Sequence, residues 1–271
     1  MSAGASGFEP WVRTMPWGVE RWLVSARPEA PGRIVSGPRA EKFLADLLPG
    51  FPLILKVIET NQPLSIQVHP SREDAAHLGG EAKNEAWCIL EPGPIYAGLR
   101  PGATKRAVRE AVATGRLEEL LIRHEAKRFE TYFIPTGLIH AIGAGVKLFE
   151  VQQNSDTTYR LWDWGRVGAD GKPRELHVEK ALAAARPGLP PPEPAGGAEC
   201  PDFSFRQAET RPGEILRAPE DRYLAFCEAS AEKAFLLFPG ESAPSPGGRL
   251  FLVEAPAGED GGTAKKKGTM T

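Results

Sequence analysis

Apolar positions along this chain recur mostly with a period of two. LSIQVHP, residues 64–70, sets Leu64, Ile66 and Val68 on one side of a strand and Ser65, Gln67 and His69 on the other, before Pro70 stops it. FPLILKVIE (51–59) and KNEAWCIL (83–90) read as strands on either side of it. ETYFIPTGLIHAIG, GVKLFEVQQ and TTYRLWDWG continue the series to about residue 165. Residues 8–35 carry Trp11, Trp17 and Trp22 among Pro and Gly and read as irregular strands.

The period changes to that of a helix in three places. SGPRAEKFLADLLPG (36–50) has Pro38 in a first-turn position, a stripe of Phe43, Leu44, Leu47 and Leu48, and a Pro49-Gly50 stop. ATKRAVREAVATGRLEELL (103–121) is the clearest helical region, with Ala107, Val108, Ala111 and Val112 in register and Gly115 as a break. ELHVEKALAAAR runs into Pro187-Gly188. PGLPPPEPAGGAECP (187–201) then holds six prolines and three glycines, which makes it a linker or a long surface connection. Short strands follow in FSFRQAE, YLAFCEA, KAFLLF and RLFLVEA.

This order predicts a β-rich domain with helical insertions over 1–190, a smaller β domain over 191–255, and a polar disordered tail over 256–271 ending in KKKGTMT. At 271 residues the chain can bury a core without staples. Its net charge of −2 argues against nucleic acid or an anionic membrane as the main partner. No apolar run approaches the roughly 20 residues of a membrane span, and MSAGASGFEPWVRTMPWG lacks the basic and apolar regions of a signal peptide. Cys88, Cys200 and Cys227 form no CxxC pair or disulfide framework, so buried thiols and a cytoplasmic setting are expected.

All five histidines precede the proline-rich stretch. Gln67 and His69 share a strand face, Glu85 lies on another strand with Lys83 and Trp87, and His140 follows the turn that Pro135 and Gly137 shape. Two imidazoles and a carboxylate suit a divalent ion, zinc in particular, with a glutamine oxygen as a weaker fourth ligand. The alternative is a set of hydrogen-bonded core side chains without an ion. His77, His124 and His177 sit in polar surroundings and read as surface residues. In FEVQQNSDTTYRLWDWGR, Glu150 and Gln152 share a face, as do Asp156, Thr158 and Arg160. Arg160 is either a structural cation or an oxygen clamp beside a metal. No GxxxxGK[ST] loop and no Rossmann glycine pattern is present.

Taken in order, PWGVERWLVS, the SGP helix, LILKVIE, LSIQVHP, KNEAWCILE, YAGL, FIPTGLIHAIGAG and QQNSDTTYRLWDWGR resemble the type I phosphomannose isomerases in their short bacterial form. PTGLIH also resembles the second motif of the wider cupin superfamily. The resemblance implies a mainly β fold of two cupin-like β-barrel (jelly-roll) halves, with helices inserted in and around the first. It implies a zinc-dependent aldose–ketose isomerase that interconverts mannose 6-phosphate and fructose 6-phosphate through a cis-enediol, with one Zn2+ per chain. Carried over by motif, the zinc ligands fall on Gln67, His69, Glu85 and His140, and the catalytic side chains on Arg160, Lys83 and Glu150. Ser65, Lys56 and Asp156 become the substrate-binding candidates. Asn84 and Ala86 stand where the family usually has Thr and Met. The partner implied is a small sugar phosphate, and the protein is expected to be a cytoplasmic monomer or weak dimer. A sugar-phosphate-binding cupin without turnover, or a metal cupin enzyme of another class, is the alternative.

Overall fold

The structure, a computed structural model, describes residues 4–167, 171–230 and 233–257. From residue 258 onward the expected tail lies outside the described residues. The fold is mainly β, as the alternation predicts, and no described helix is long and apolar enough to cross a membrane.

The chain divides into two compact units, and neither is a continuous stretch. One comprises the described residues of Met1–Pro10, Val24–Pro52 and Glu199–Thr271, the other Trp11–Leu23 and Leu53–Ala198. This partition differs from the sequential boundary expected near residue 190, because backbone pairing recruits the start of the chain. Strand Ser6–Glu9 pairs antiparallel with Ala234–Leu237, Ser6 opposite Leu236, and with Arg33–Ser36 on its other side. The proline-rich stretch runs back along the second unit, where Ala195 and Thr131 exchange backbone hydrogen bonds at 2.9 Å.

In the first unit the helix expected over 36–50 shrinks to Leu44–Leu47. The residues before it are committed to a neighbouring strand. Ile34 N donates to Lys42 O and Glu41 N to Ile34 O, both at 2.8 Å, which uses the backbone groups a helix needs. Glu41 has φ +68° and its carboxylate accepts from Arg33 at 2.8 Å. Propensity yields here to pairing.

The second unit carries the candidate site residues, and its elements are numbered in chain order. The strands are β1 (Trp11–Met15), β2 (Gly18–Val24), β3 (Leu53–Thr60), β4 (Ile66–Val68), β5 (Glu85–Glu91), β6 (Gly93–Leu99), β7 (Leu121–Ala126), β8 (Thr131–Ile134), β9 (His140–Ile142), β10 (Lys147–Gln153) and β11 (Tyr159–Trp162). The helices are α1 (Arg72–Leu78), α2 (Lys105–Ala113) and α3 (Val178–Ala184). One sheet runs β8-β5-β10-β3-β2-β1 and the other β7-β6-β9-β4-β11. Each is an open ladder; the expected barrel is not closed, and its lumen is the space between two facing sheets.

Side-chain alternation decides what fills each face. Ile66, Val68, Ala141, Tyr159 and Leu161 face outward and pack with Val108 of α2 and Ala181 and Leu182 of α3. Ile95, Ala97 and Ile142 face inward and meet Ile58, Trp87, Ile89 and Leu148 of the other sheet. Leu64 departs from the expected alternation. It precedes β4, packs in the inward cluster, and lines the same cavity as Ser65. The expected helix over 103–121 ends at Ala113, before Gly115 with φ +67°, and its last residue opens β7. Helix α1 is not predicted from the sequence, and it opens on a capping box. Ser71 Oγ accepts from Asp74 N, and the Asp74 carboxylate accepts from Ser71 N, both at 3.1 Å.

Candidate active site

Sheet register brings the polar positions together. On β4, Gln67 lies opposite His140 of β9 on one side and Arg160 of β11 on the other. In the facing sheet Glu85 of β5 lies opposite Gln152, Glu150 opposite Trp87, and Lys56 of β3 opposite Glu150. Gln67, Arg160, Glu85, Trp87, Glu150 and Lys56 line one cavity of about 480 Å³, whereas His140 is buried behind it beside Glu85 and Gln152 bonds to the carbonyls of Gln153 and Ser155. His69 follows β4 and is buried beside Glu85.

His69, Glu85 and His140 offer ligand atoms that all lie within 4.8 Å of one another, and all three residues are buried. His69 Nε2 is 3.3 Å from Glu85 Oε1, and His140 Nε2 is 3.7 Å from Glu85 Oε2. Each imidazole is oriented by a backbone carbonyl: His69 Nδ1 meets Thr157 O at 2.8 Å and His140 Nδ1 meets Leu138 O at 2.9 Å. A ring nitrogen facing a carbonyl must carry the proton, so Nε2 of each ring presents a lone pair to the centre. Burial, joined by the neighbouring positive groups, lowers both imidazole pKa values, that of His140 to about 3, which keeps both rings neutral. Burial works against the charge on Glu85, yet the Lys83 ammonium 2.7 Å away outweighs it and holds the carboxyl well below its usual range.

This arrangement fits a divalent cation on an internal test. His69 Nε2 and Glu85 Oε2 are buried without a hydrogen-bond partner, a costly state that a cation between them would relieve. Gln67 joins the group at its edge. Its amide lies 3.4 Å from His140 Nε2 at one end and accepts from Ser65 Oγ at 3.2 Å at the other. Exchanging the two ends of the amide keeps the Ser65 contact and turns the oxygen toward the centre.

Two buried ammonium–carboxylate pairs stand beside this group. Lys83 Nζ lies 2.7 Å from Glu85 Oε1, and Lys56 Nζ lies 3.1 Å from Glu150 Oε1. Trp87 Nε1 donates to the second Glu150 oxygen at 2.8 Å. Burial and then the charge of Glu85 raise the Glu150 pKa above the ordinary carboxylate value. Burial alone would lower the Lys56 pKa, but Glu150, Glu20, Asp156 and Glu85 together raise it, so Lys56 stays an ammonium.

Arg160 is half-buried, with Nη1 donating to Glu175 O at 2.8 Å and Nε buried without a partner. Burial lowers its pKa, with the charge of Arg174 acting in the same direction, but a guanidinium stays charged. Asp156 and Thr158 line the cavity with it, as their shared face predicts. Of the histidines expected at the surface, His77 is exposed, His124 is half-buried, and His177 brackets Arg160: His177 N donates to Arg160 O at 2.7 Å and Arg160 N to His177 Nδ1 at 3.2 Å. Sequence reasoning also missed Arg13, Glu20 and Arg174 in the cavity wall. The signal for Arg13 and Glu20 was the Pro16-Trp17-Gly18 turn, which folds β1 onto β2 and sets the two opposite each other. Cys88 and Cys227 are buried as expected, whereas Cys200 is half-buried and its thiol pKa is pushed up by burial.

Comparison with known proteins points to one family. Residues 20–86 match the family described as phosphomannose isomerase type I, catalytic domain. The chain is 42% identical over 137 residues to the mannose-6-phosphate isomerase ManA of Bacillus subtilis, covering 49% of this chain and 43% of that one. It is 32% identical over 187 residues to the mannose-6-phosphate isomerase of Streptococcus mutans, covering 63% of this chain and 59% of that one. The matched regions thus span about half the length of these curated relatives. The fold is that of the mannose 6-phosphate isomerase crystal structure from Bacillus subtilis, with a TM-score of 0.78 at 23% identity over 93% of this chain and 99% of that one. A zinc-bound mannose 6-phosphate isomerase structure superposes with a TM-score of 0.63 at 17% identity, over 94% of this chain and 100% of that one.

Proposed function

We propose that this chain, related by sequence and fold to the type I phosphomannose isomerases, interconverts mannose 6-phosphate and fructose 6-phosphate. The observation that carries the proposal is the buried His69–Glu85–His140 group, whose Glu85 lines a polar cavity together with Glu150 and Arg160. Gln67, His69, Glu85 and His140 would hold one zinc ion per chain. Bound there, zinc would supply Lewis-acid stabilisation of negative charge on substrate oxygen.

The remaining chemistry belongs to side chains. Moving a proton between C1 and C2 requires a base near the sugar's carbonyl end. Glu150 fits that role, because its raised pKa makes the carboxylate a better proton acceptor than an ordinary surface glutamate. Lys56 keeps its ammonium beside Glu150 and Trp87 holds the second oxygen, so the carboxylate is fixed in orientation. Lys83 is the second candidate for carrying the proton, and its contact with Glu85 ties it to the floor. Arg160 would stabilise the charge that develops on the enediol oxygens, with Nε as its unsatisfied donor. Ser65, Lys56 and Asp156 line the cavity as substrate contacts. On this reading the enzyme takes a small sugar phosphate in the cytoplasm, as a monomer or weak dimer.

A coupled isomerase assay on metal-replete and chelator-treated protein tests the proposal. Turnover of mannose 6-phosphate that disappears with the metal and returns with added zinc is the expected result. Metal-replete protein that binds mannose 6-phosphate without converting it refutes the isomerase reading.

A further inference from the structure

The cations of the cavity are unequally compensated, and the inequality has a direction. At the floor each lysine has its own carboxylate, Lys56 with Glu150 at 3.1 Å and Lys83 with Glu85 at 2.7 Å. At the rim the guanidiniums do not. Arg13 and Asp156 approach only to 3.9 Å, and both side chains are 43% exposed. Arg160 gives Nη1 to a backbone carbonyl, which carries no net charge. Arg174 shares one carboxylate with Arg166: Asp163 accepts from Arg174 Nε at 2.7 Å and also from Arg166 Nη2 at 2.5 Å. Uncompensated positive charge therefore collects at the rim, on three side chains that line the same cavity.

The anchoring of these groups suits an incoming anion. Asp163 holds Arg174 by its Nε–Nη2 edge, which fixes the guanidinium plane and leaves the Nη1 edge to meet an oxygen. Arg13 stands on edge strand β1 opposite Glu20, so the sheet fixes its position while its exposed, loose pairing with Asp156 exchanges at little cost.

We infer that Arg13 and Arg174 are specificity residues which receive the phosphate of the substrate at the rim, leaving Arg160 for the enediol oxygens and the reacting end of the sugar at the floor. The inference rests on the proposed sugar-phosphate reading and adds to it a polarity for the bound sugar and two residues that the family motifs do not contain. It also assigns Asp156 a second role, as the anion that the phosphate replaces on Arg13.

Calorimetric titration tests the assignment without requiring turnover. Wild type, Arg13→Gln, Arg174→Gln and the double variant are titrated with mannose 6-phosphate, with unphosphorylated mannose and with inorganic phosphate, and zinc content is measured on each. The expected result is a rise in Kd for mannose 6-phosphate of about tenfold per arginine, a parallel loss of inorganic phosphate binding, and little change for mannose. In the isomerase assay the change falls on KM more than on kcat. Arg13 is exposed, so its variant folds even if Arg174→Gln disturbs the Asp163 cluster, and Arg174→Lys separates lost charge from lost structure. Unchanged affinity for mannose 6-phosphate in Arg13→Gln and in the double variant overturns the inference, as does a wild type that binds neither phosphate compound. Binding that depends on both arginines without isomerisation leaves the inference standing and refutes only the activity.

Discussion

The backbone N–H of Gly137 donates to the carbonyl of His69 at 2.9 Å, which ties the turn that delivers His140 to the strand end that carries the other imidazole. Gly137 has φ +85°, and a Cβ there would lie 2.6 Å from Arg186 Cγ and 3.3 Å from the Ala184 carbonyl oxygen. Gly137→Ala is expected to cost about 1–3 kcal/mol of stability and to lower zinc retention, because the two ring nitrogens no longer converge. Urea denaturation and metal analysis of the purified variant check both effects. Full zinc content at unchanged stability would show that the turn does not set the ligand geometry.

His140 is fully buried, and its removal deletes one of the two neutral lone pairs aimed at Glu85. His140→Ala should lose both stoichiometric zinc and isomerase activity. A metal-free variant with normal turnover would sink the assignment of the floor as a metal centre.

Arg160 separates binding from chemistry. Its carbonyl and N–H are held by His177, so the backbone stays in place when the side chain is cut back. Arg160→Ala is expected to keep zinc and lose at least ~100-fold in turnover. Normal turnover with intact zinc would reduce Arg160 to a structural cation.

Period-two reading found the faces of the strands, and with them Gln67, His69, Glu85, Glu150 and Arg160. What it could not supply was strand order. His140 meets Gln67 only because β9 lies between β6 and β4, and β4 then pairs with β11, a sequence of neighbours that local pattern does not encode. The same gap hid the two-unit partition, which depends on Ser6–Glu9 pairing with Ala234–Leu237 more than two hundred residues away. Leu64 misled because alternation starts only where a strand does, at Ile66. Arg174 had no local signal, since its place in the cavity wall is fixed by Asp163, eleven residues back and just past the end of β11.

Asp163 gives the rim a pH signature. Burial alone would raise its pKa, but hydrogen bonds from Arg174 and Arg166 outweigh burial and hold it below the ordinary 3.8. A depressed folded pKa means that the unfolded chain binds the proton first as pH falls. Stability from this group is therefore complete above the unfolded value of 3.8 and is lost as pH drops from there through the folded pKa. The limiting slope is about 1.4 kcal/mol per pH unit for one group. Urea denaturation from about pH 5 down to about pH 2 should show a shallower acid limb for Asp163→Asn than for wild type. Parallel limbs would mean that the cluster contributes no net protonation difference.

Lys56 and Glu150 form a buried pair whose members cannot be removed singly at low cost. Both side chains are less than 5% exposed, and the ammonium also lies 5.1 Å from the centre of the Trp22 ring. Lys56→Met keeps the apolar stem over Trp22 but leaves Glu150 facing a lost charge, so Glu150 must take a proton or move toward water. Breaking such a pair from one side typically costs 3–5 kcal/mol, while replacing both partners by apolar groups is far less harmful. The expected outcome is that Lys56→Met and Glu150→Met each destabilise by about 3 kcal/mol and the double change recovers a large part of the loss. Activity should vanish in all three, since the double variant restores packing without restoring the base. A double-mutant cycle in urea, run beside the isomerase assay, reads both quantities. Additive losses would show that the two charges act independently, and turnover in the double variant would move the base to Lys83.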